Sequence, residues 1–512
     1  DLYTATYDRE TELTYWEEDP EAAVKELNTC YTYLGNMDEQ LYCEAMTDNA
    51  YTKQPNDATQ NIGNGSYSTA DPYVKKVWDG RYTGIRMCNE LLENIDRVPD
   101  LDPELKKRYI GEAKVLRAYN YYELYTKFGD VPYTTKVLSI KESMSIARTA
   151  KATVIANVLA DLDEVINGNY LPTSYDADNK GRITRWAAMA IKAKIYLFEG
   201  NWTQVKNITS TIMTEGGFKL FESYAGLFEI ANEYNSEVIL DAQYRPTSRE
   251  HQMMYVFLPP TLGGYSQLSP LQELVDSYIM LDGKTIKETG TSFDESHPYA
   301  NRDPRLKATV MYTGNSYTLA DGTEVVINCE KGEGKDGYGV GSDCSATGYY
   351  IKKYWDNTYR ATLYSGLNPI LIRYADILLM NAEALAELGE LDKTAWDATI
   401  KPIRDRAGFT LASALEFPEG ASKDKLIEIV RNERRSELAL EGHRHKDIIR
   451  WRIADNVLNG WCHGLKTNDV VGTDDGYVRV ENRTFNANRH YLWPIPQAER
   501  DLNGNLEQNP NW

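Results

Sequence analysis

In residues 1–215 and again in 369–452, apolar side chains return every three or four positions; between 216 and 368 that rhythm stops. Such spacing lays a stripe along one side of a helix, and the stripe has to be buried against other helices. EDPEAAVKELNTCYTYL (18–34) opens on Asp19 and Pro20 and then places Ala23, Leu27 and Tyr31 four apart. Residues 71–96 align Val74, Val77, Trp78, Ile85, Leu92 and Ile95. After the Pro99–Pro103 break, Ile110, Ala113, Arg117, Tyr121, Leu124 and Phe128 share a face that ends at Gly129. Residues 151–166 (Val154, Val158, Leu162, Val165) and 182–202 (Trp186, Ala190, Ala193, Leu197) form a second pair. Residues 369–408 form a third. Its first helix has an apolar arc of Leu371, Ala375, Leu378, Leu379, Ala382, Leu385 and Ala386, wide enough to be sandwiched between neighbours.

Helix pairs of roughly 30–45 residues with internal Ala and terminal Gly resemble degenerate tetratricopeptide units. The expected fold is mostly α, a scaffold of such pairs interrupted by a loop-rich insertion at 216–368 and followed by an irregular C-terminal segment at 453–512. The insertion is dense in Gly, Pro, Asn, Ser and Tyr, with short strand-like runs at Glu237–Gln243 and Glu324–Cys329. A loop region of this length within a helical frame is where a ligand is to be sought.

Charge narrows the class of ligand. The 56 Lys and Arg against 76 Asp and Glu give a net charge of −20. That balance argues against nucleic acid, whose phosphates are gripped by cations, and against anionic lipid surfaces. No run of about 20 apolar residues is present to cross a bilayer as a helix. The chain begins at Asp1 with a polar stretch and no signal peptide, as expected of a mature or trimmed product. Tyrosine is in excess, 37 against 10 Phe and 10 Trp. It can serve as a core residue in place of Phe, or as a half-wet surface for ligands with apolar faces, such as sugars.

The chemical motifs are incomplete. GEGKDG (332–337) has the G-x-G-x-x-G spacing, but no helical period follows to hold a pyrophosphate. DADNKG (176–181) starts like a calcium loop, yet the position of the bidentate Glu is Ala187. His443 and His445, two apart, point to different faces of a helix. The six cysteines show no zinc spacing; buried thiols are expected, with a Cys329–Cys344 bridge as the alternative. No metal or cofactor is called for. Glu433 and Glu437 share a helix face with Leu426, Ile429, Val430 and Leu440, and their Cβ atoms stand roughly 5–6 Å apart. That separation is near the ~5–5.5 Å of retaining glycosidases. Two groups on one face do not flank a bond from opposite sides, however. The neighbouring Arg431, Arg434, Arg435, Arg444, Arg450 and Arg452, together with Arg117 in its apolar stripe, favour a buried structural network of Arg117, Glu433 and Glu437.

Seven segments taken together resemble the SusD/RagB family of outer-membrane glycan-binding lipoproteins. They are CNELLENID (88–96), RAYNYYELYTKFGDVPY (117–133), GRITRWAAMAIKAKIYLFEGNW (181–202), SPLQELVDSY (269–278), IRYADILLMNAEALAELG (372–389), RNERRSELALEGHRHKDIIRWR (431–452) and YLWPIPQAERDLNGNLEQNPNW (491–512). They stand in family order over nearly the whole chain. The resemblance implies one SusD-like unit over 1–512, with four degenerate tetratricopeptide-like helix pairs and a ligand face on the irregular portion. It implies non-catalytic capture of an oligo- or polysaccharide on the extracellular face of the outer membrane. Delivery would be to a SusC-like TonB-dependent transporter over which the protein sits as a lid. The family's lipid-bearing amino-terminal Cys has no match here, since Cys30 lies inside the first helix; the anchor is implied only.

The resemblance also places the glycan site. The loop after the first helix reads MTDNAYTKQPND (46–57), which makes Asp48, Asn49 and Tyr51 the matching positions. MMYVFLPPTLGGYS (253–266) supplies Tyr255 and Tyr265 where the starch-binding member has aromatic residues; this sequence has Tyr where that member has Trp, and both loops vary greatly, so starch itself does not carry over. KKYWDNTYR (352–360) adds Trp355 and Arg360. Packing within the loop is the alternative for each aromatic. The expectation is a shared surface of Tyr51, Tyr255 and Tyr265 with Asp48 and Asn49 bonding to hydroxyls. Rival readings are a peptide-capture lid of the same family, a glycoside hydrolase using Glu433 and Glu437, and a scaffold for protein partners.

Overall fold

Two helices start as their sequences dictate. Asp71 accepts from the backbone N–H groups of Tyr73 and Val74 at 2.9 and 3.0 Å, and Asp102 accepts from that of Leu105 at 3.0 Å, each ahead of a proline in the first turn. The computed structural model describes residues 15–53, 59–359 and 363–512. It is 46% helix and 10% strand, which makes the fold mostly α. Among the described residues the helices of ten or more are Ala22–Tyr31 (α1), Pro72–Asn94 (α2), Pro103–Phe128 (α3), Lys151–Asn167 (α4), Arg185–Glu199 (α5), Trp202–Glu215 (α6), Tyr374–Glu387 (α7) and Lys423–Glu437 (α8).

The chain divides into two compact units and passes between them repeatedly. One holds residues up to Asn36, Tyr67–Glu199 and Asn486–Trp512; the other holds Met37–Ser66 and Gly200–Phe485. In the first, α1 packs on α2 and α3, α2 on α3, α3 on α4, and α4 on α5. Gly84 lets α2 come close: a Cβ there would meet Asn120 Nδ2 at 2.8 Å and Tyr33 Cβ at 2.9 Å. Arg117 on α3 donates to Asp161 of α4 at 2.7 Å and to Asn89 of α2 at 2.9 Å, joining three helices by one guanidinium. The segment 486–512 finishes this unit. Trp493 donates its N–H to the Lys127 carbonyl at 2.8 Å, and the Asn509 amide donates to the carbonyls of Phe128 and Trp493 at 2.8 and 2.7 Å.

In the second unit α6 packs on α7 and α7 on α8. Every residue of α7 from Ala375 to Ala386 is buried, as its wide apolar arc requires. Leu371 and Arg373 precede that helix, in a strand. The strands used below are Ala50–Thr52 (β1), Val238–Asp241 (β2), Leu268–Pro270 (β3), Ile370–Arg373 (β4), Gly460–Lys466 (β5) and Tyr477–Arg483 (β6). β1 pairs antiparallel with β3, β2 with β4, and β5 with β6. Between 216 and 368 no described helix exceeds six residues.

One expectation is corrected, and that of buried thiols holds. The tail at 453–512 is not uniformly irregular: β5 and β6, seven residues each, lie in it, and its two parts belong to different units. Cys329 and Cys344 are buried thiols with no bridge, and Cys344 Sγ donates to the Lys335 carbonyl at 3.3 Å. The tyrosine excess is largely explained in the loop-rich core. Tyr317, Tyr350 and Tyr354 are buried there, donating to the carbonyls of Ile351, Asp336 and Leu440 at 2.6–2.8 Å. In these three the buried ring carries a satisfied hydroxyl, a bond that Phe could not make.

Candidate ligand-binding surface

Glu433 and Glu437 on α8 are sealed from solvent, at 2% and 0% exposure. Arg305 donates to both, at 2.7 Å to Glu433 and 2.8 Å to Glu437. Arg404 donates to the other Glu433 oxygen at 3.0 Å; Arg373, at 3.0 Å, and Arg406 donate to the other Glu437 oxygen. Burial acts to raise the Glu437 carboxyl, but Arg406, Arg373 and Arg305 overcome it and hold it well below the usual carboxylate range. This pair therefore has no access to a glycosidic bond, and Glu437 has no proton to lend one. The cluster continues through Arg373 to Glu237 and Glu441, at 2.6 and 2.8 Å.

Asp48 and Asn49 belong to the same kind of interior. Asp48 is 5% exposed and accepts two bonds of 2.9 Å from Arg444. Burial opposes its charge, while Arg435 and Arg444 hold its carboxyl well below the ordinary value. Asn49 accepts from Arg435 at 2.9 Å and donates to Glu44 at 3.0 Å. The expectation that these two meet sugar hydroxyls is corrected: their bonding capacity is spent within the protein. Tyr51, in β1, is half-buried, and its hydroxyl accepts from Gln60 at 3.1 Å. Burial, and then the charge of Glu481 on β6, raises its hydroxyl above the usual value.

Tyr255 and Tyr265 do come together. The helix Met253–Phe257 carries Tyr255; the chain then turns through Pro260–Leu262, and the Tyr265 N–H returns to the Tyr255 carbonyl at 3.0 Å. The ring centroids are 6.3 Å apart with planes 26° from parallel. Gly264 closes the turn, because a Cβ there would stand 2.1 Å from the Leu258 carbonyl oxygen. Asp336 accepts from the Thr261 N–H at 2.9 Å and from the Thr261 hydroxyl, pinning the loop from below. Tyr265 is 38% exposed. Burial and then the Asp38 charge raise its hydroxyl; burial followed by the neighbouring Tyr265 and Asp38 raises that of Tyr42. Lys53, which donates to the Tyr265 carbonyl at 3.1 Å, is a part of the surface that sequence reasoning missed, although it lay within a stretch already marked for ligand binding.

Comparison with known proteins decides the family. The profile described as the SusD family matches residues 227–512, and one described as starch-binding associating with outer membrane matches 19–197. The chain belongs to the SusD family. The SusD-like protein P25 of Formosa agariphila is 28% identical over 82% of this chain and 80% of its own. A crystal structure described as a SusD-like carbohydrate-binding protein from Bacteroides fragilis has a TM-score of 0.85 at 28% identity, covering 96% of this chain and 100% of that one. A laminarin-binding SusD-like protein has a TM-score of 0.72 at 24% identity, covering 96% and 99%, a likeness of fold.

Two other regions of this SusD-family chain were candidates. Trp355 donates its indole N–H to the Thr318 carbonyl at 2.9 Å and meets Tyr317 edge-on at 5.4 Å, so it props a loop against the Ser316–Thr318 strand. Arg360 lies outside the described residues. A cleft of about 960 Å³ is lined by Asp276, Phe293, Tyr299, Arg302, Glu333 and Tyr477, among others. Its ring faces are occupied: Tyr299 stacks on Tyr312 at 4.1 Å, Arg302 covers Phe293, and Lys466 covers Tyr477. Its cations are bound as well, Lys331 to Asp469 and Lys466 to Glu295. The larger cavity is the poorer platform.

Proposed function

We propose that this chain captures oligo- or polysaccharide at the outer-membrane surface without chemical change and passes it to a SusC-like TonB-dependent transporter. The observation that carries the reading is the near-parallel pair of half-buried Tyr255 and exposed Tyr265 on a braced turn. Sugar rings present apolar C–H faces that pack on aromatic rings, and each such contact contributes on the order of 1 kcal/mol. A shallow, wet surface of two rings corresponds to micromolar-to-millimolar affinity, roughly −8 to −4 kcal/mol. The carbohydrate-binding description of the Bacteroides fragilis relative supports the same class of ligand. The carboxylate pair that a hydrolase would need on α8 is sealed from solvent and bonded to arginines. A lipid anchor on the extracellular face belongs to this proposal as the family's usual attachment.

Affinity electrophoresis through gels containing different polysaccharides tests the reading. Retardation in at least one glycan, reduced about tenfold in apparent affinity for Tyr265→Ala, is the expected result. Retention of wild-type affinity in that variant would place the surface elsewhere. Recovery of the protein with a large outer-membrane transporter after detergent solubilisation tests the delivery step; repeated recovery alone would count against it.

A further inference from the structure

Asp48 and Asn49 are bonded within the interior, so the polar partner for a sugar on the tyrosine pair has to come from another segment. The bonds of Lys53 identify it. Its N–H, one residue past β1, donates to the Gln267 carbonyl at 2.9 Å, which continues the β1–β3 pairing and fixes where the side chain starts. An ammonium has three protons to donate. That of Lys53 meets the carbonyls of Tyr265 at 3.1 Å, Ser342 at 2.9 Å and Cys344 at 3.1 Å. One cation therefore clips two loops together by their backbones, with the Ser342 and Cys344 carbonyls two hydrogen-bond lengths from that of Tyr265. Burial lowers the ammonium from its ordinary value, and the charge of Asp343 works against that.

The second loop is a turn. The Cys344 N–H returns to the Gly341 carbonyl at 3.2 Å and leaves Ser342 and Asp343 at the tip. Both are exposed, as Tyr265 is, while Cys344 is buried and anchors the base through its bond to the Lys335 carbonyl. Asp343 has no hydrogen-bond or salt-bridge partner among the described residues, unlike Asp48.

We propose that Asp343 is a ligand-binding residue of the Tyr255–Tyr265 surface, accepting hydrogen bonds from two neighbouring hydroxyls of the sugar packed on the Tyr265 ring. This rests on the glycan-capture reading. An ionised carboxylate only accepts, and its two oxygens take two O–H donors side by side. Such charge-assisted bonds are shorter and stronger than those between neutral groups. The ring fixes the plane of the sugar, and the carboxylate fixes its rotation within that plane. The ligand class is thus a saccharide whose units keep two adjacent hydroxyls free.

The test is native electrophoresis through four polymers. Starch, xyloglucan and galactomannan have main-chain units with two adjacent free hydroxyls; the main-chain units of laminarin have none adjacent. The expected result is retardation by one or more of the first three. Asp343→Ala should weaken it about tenfold and Asp343→Asn, which keeps one acceptor, about threefold, with both urea midpoints unchanged. Equal loss in the two variants, which share a charge and differ in bonding atoms, overturns the direct contact. Wild-type affinity in Asp343→Ala alongside loss in Tyr265→Ala overturns it too, as does retardation by laminarin alone; each leaves glycan capture standing. Unaltered mobility in all four gels removes glycan capture, and this inference with it.

Discussion

Two groups of side chains in the second unit are both rich in hydrogen-bonding atoms, and they put them to opposite uses. Around α8, the carboxylates of Glu433, Glu437 and Asp48 are matched by guanidinium groups and shut away from water. At the 253–266 turn, the polar atoms of Thr261 that fix the loop bond to Asp336, while the Tyr265 ring, stacked beside half-buried Tyr255, is left to solvent. The first arrangement commits its interaction energy to the fold; the second, on the proposed reading, holds it for a ligand. Abundance of charge is therefore a poor guide to a binding site. What distinguishes one is the face of a side chain that nothing else in the protein occupies.

The comparison breaks most visibly at Glu437. Removing one member of a buried ion pair leaves the others uncompensated, at a cost of about 3–5 kcal/mol, and Glu437→Gln strands Arg305, Arg373 and Arg406 together. A large fall in the urea midpoint is expected, with unchanged glycan affinity in the protein that remains folded. Asp48→Asn should follow at about 2–3 kcal/mol, since the amide keeps part of the bonding to Arg444. If its urea midpoint stayed put while affinity fell, Asp48 would return to the ligand site. Gly264→Ala attacks the other side: its Cβ collides with the Leu258 carbonyl and shifts Tyr265. We expect roughly tenfold weaker binding by calorimetry, about 1.4 kcal/mol, with a smaller change in stability.

The smallest effect concerns His463, clamped between Glu273 at 3.0 Å and Asp474 at 2.7 Å. The Glu273 bond leads the causes that raise it from 6.5 to about 9. The folded protein thus holds a proton that the unfolded chain releases above pH 6.5. The stabilisation is complete below that pH and is lost as pH rises through about 9. The melting-temperature gap between wild type and His463→Gln should narrow from pH 6 to pH 10. A constant gap would show that the imidazole acts only by packing.

The helices were legible because burial enforces a period: α2 starts at Pro72, within the 71–96 stretch, and α3 at Pro103, where the Pro99–Pro103 break ends. Leu371 and Arg373 were read into a helix because a short apolar run fits either period, and pairing with β2 settled it as strand. β5 and β6 were overlooked although Val478 and Val480 alternate beyond the Asp475–Gly476 turn signal. At the site, Tyr255 and Tyr265 were nominated together and stand together. Asp48 and Asn49 shared a loop with Tyr51, but which way each faces depends on Arg435 and Arg444, nearly four hundred residues away. Such pairings leave no trace in local spacing.

The position of 486–512 has a consequence for how the molecule comes into being. Trp493 and Asn509 close over the end of α3, yet the ribosome makes them about 360 residues after Phe128. The first unit must wait, with the α3 terminus uncovered, while the Gly200–Phe485 part of the second unit is synthesised. Synthesis order therefore favours early completion of the second unit, and a nascent chain halted before Asn486 should offer a protease the carboxyl-terminal end of α3 that the finished protein conceals.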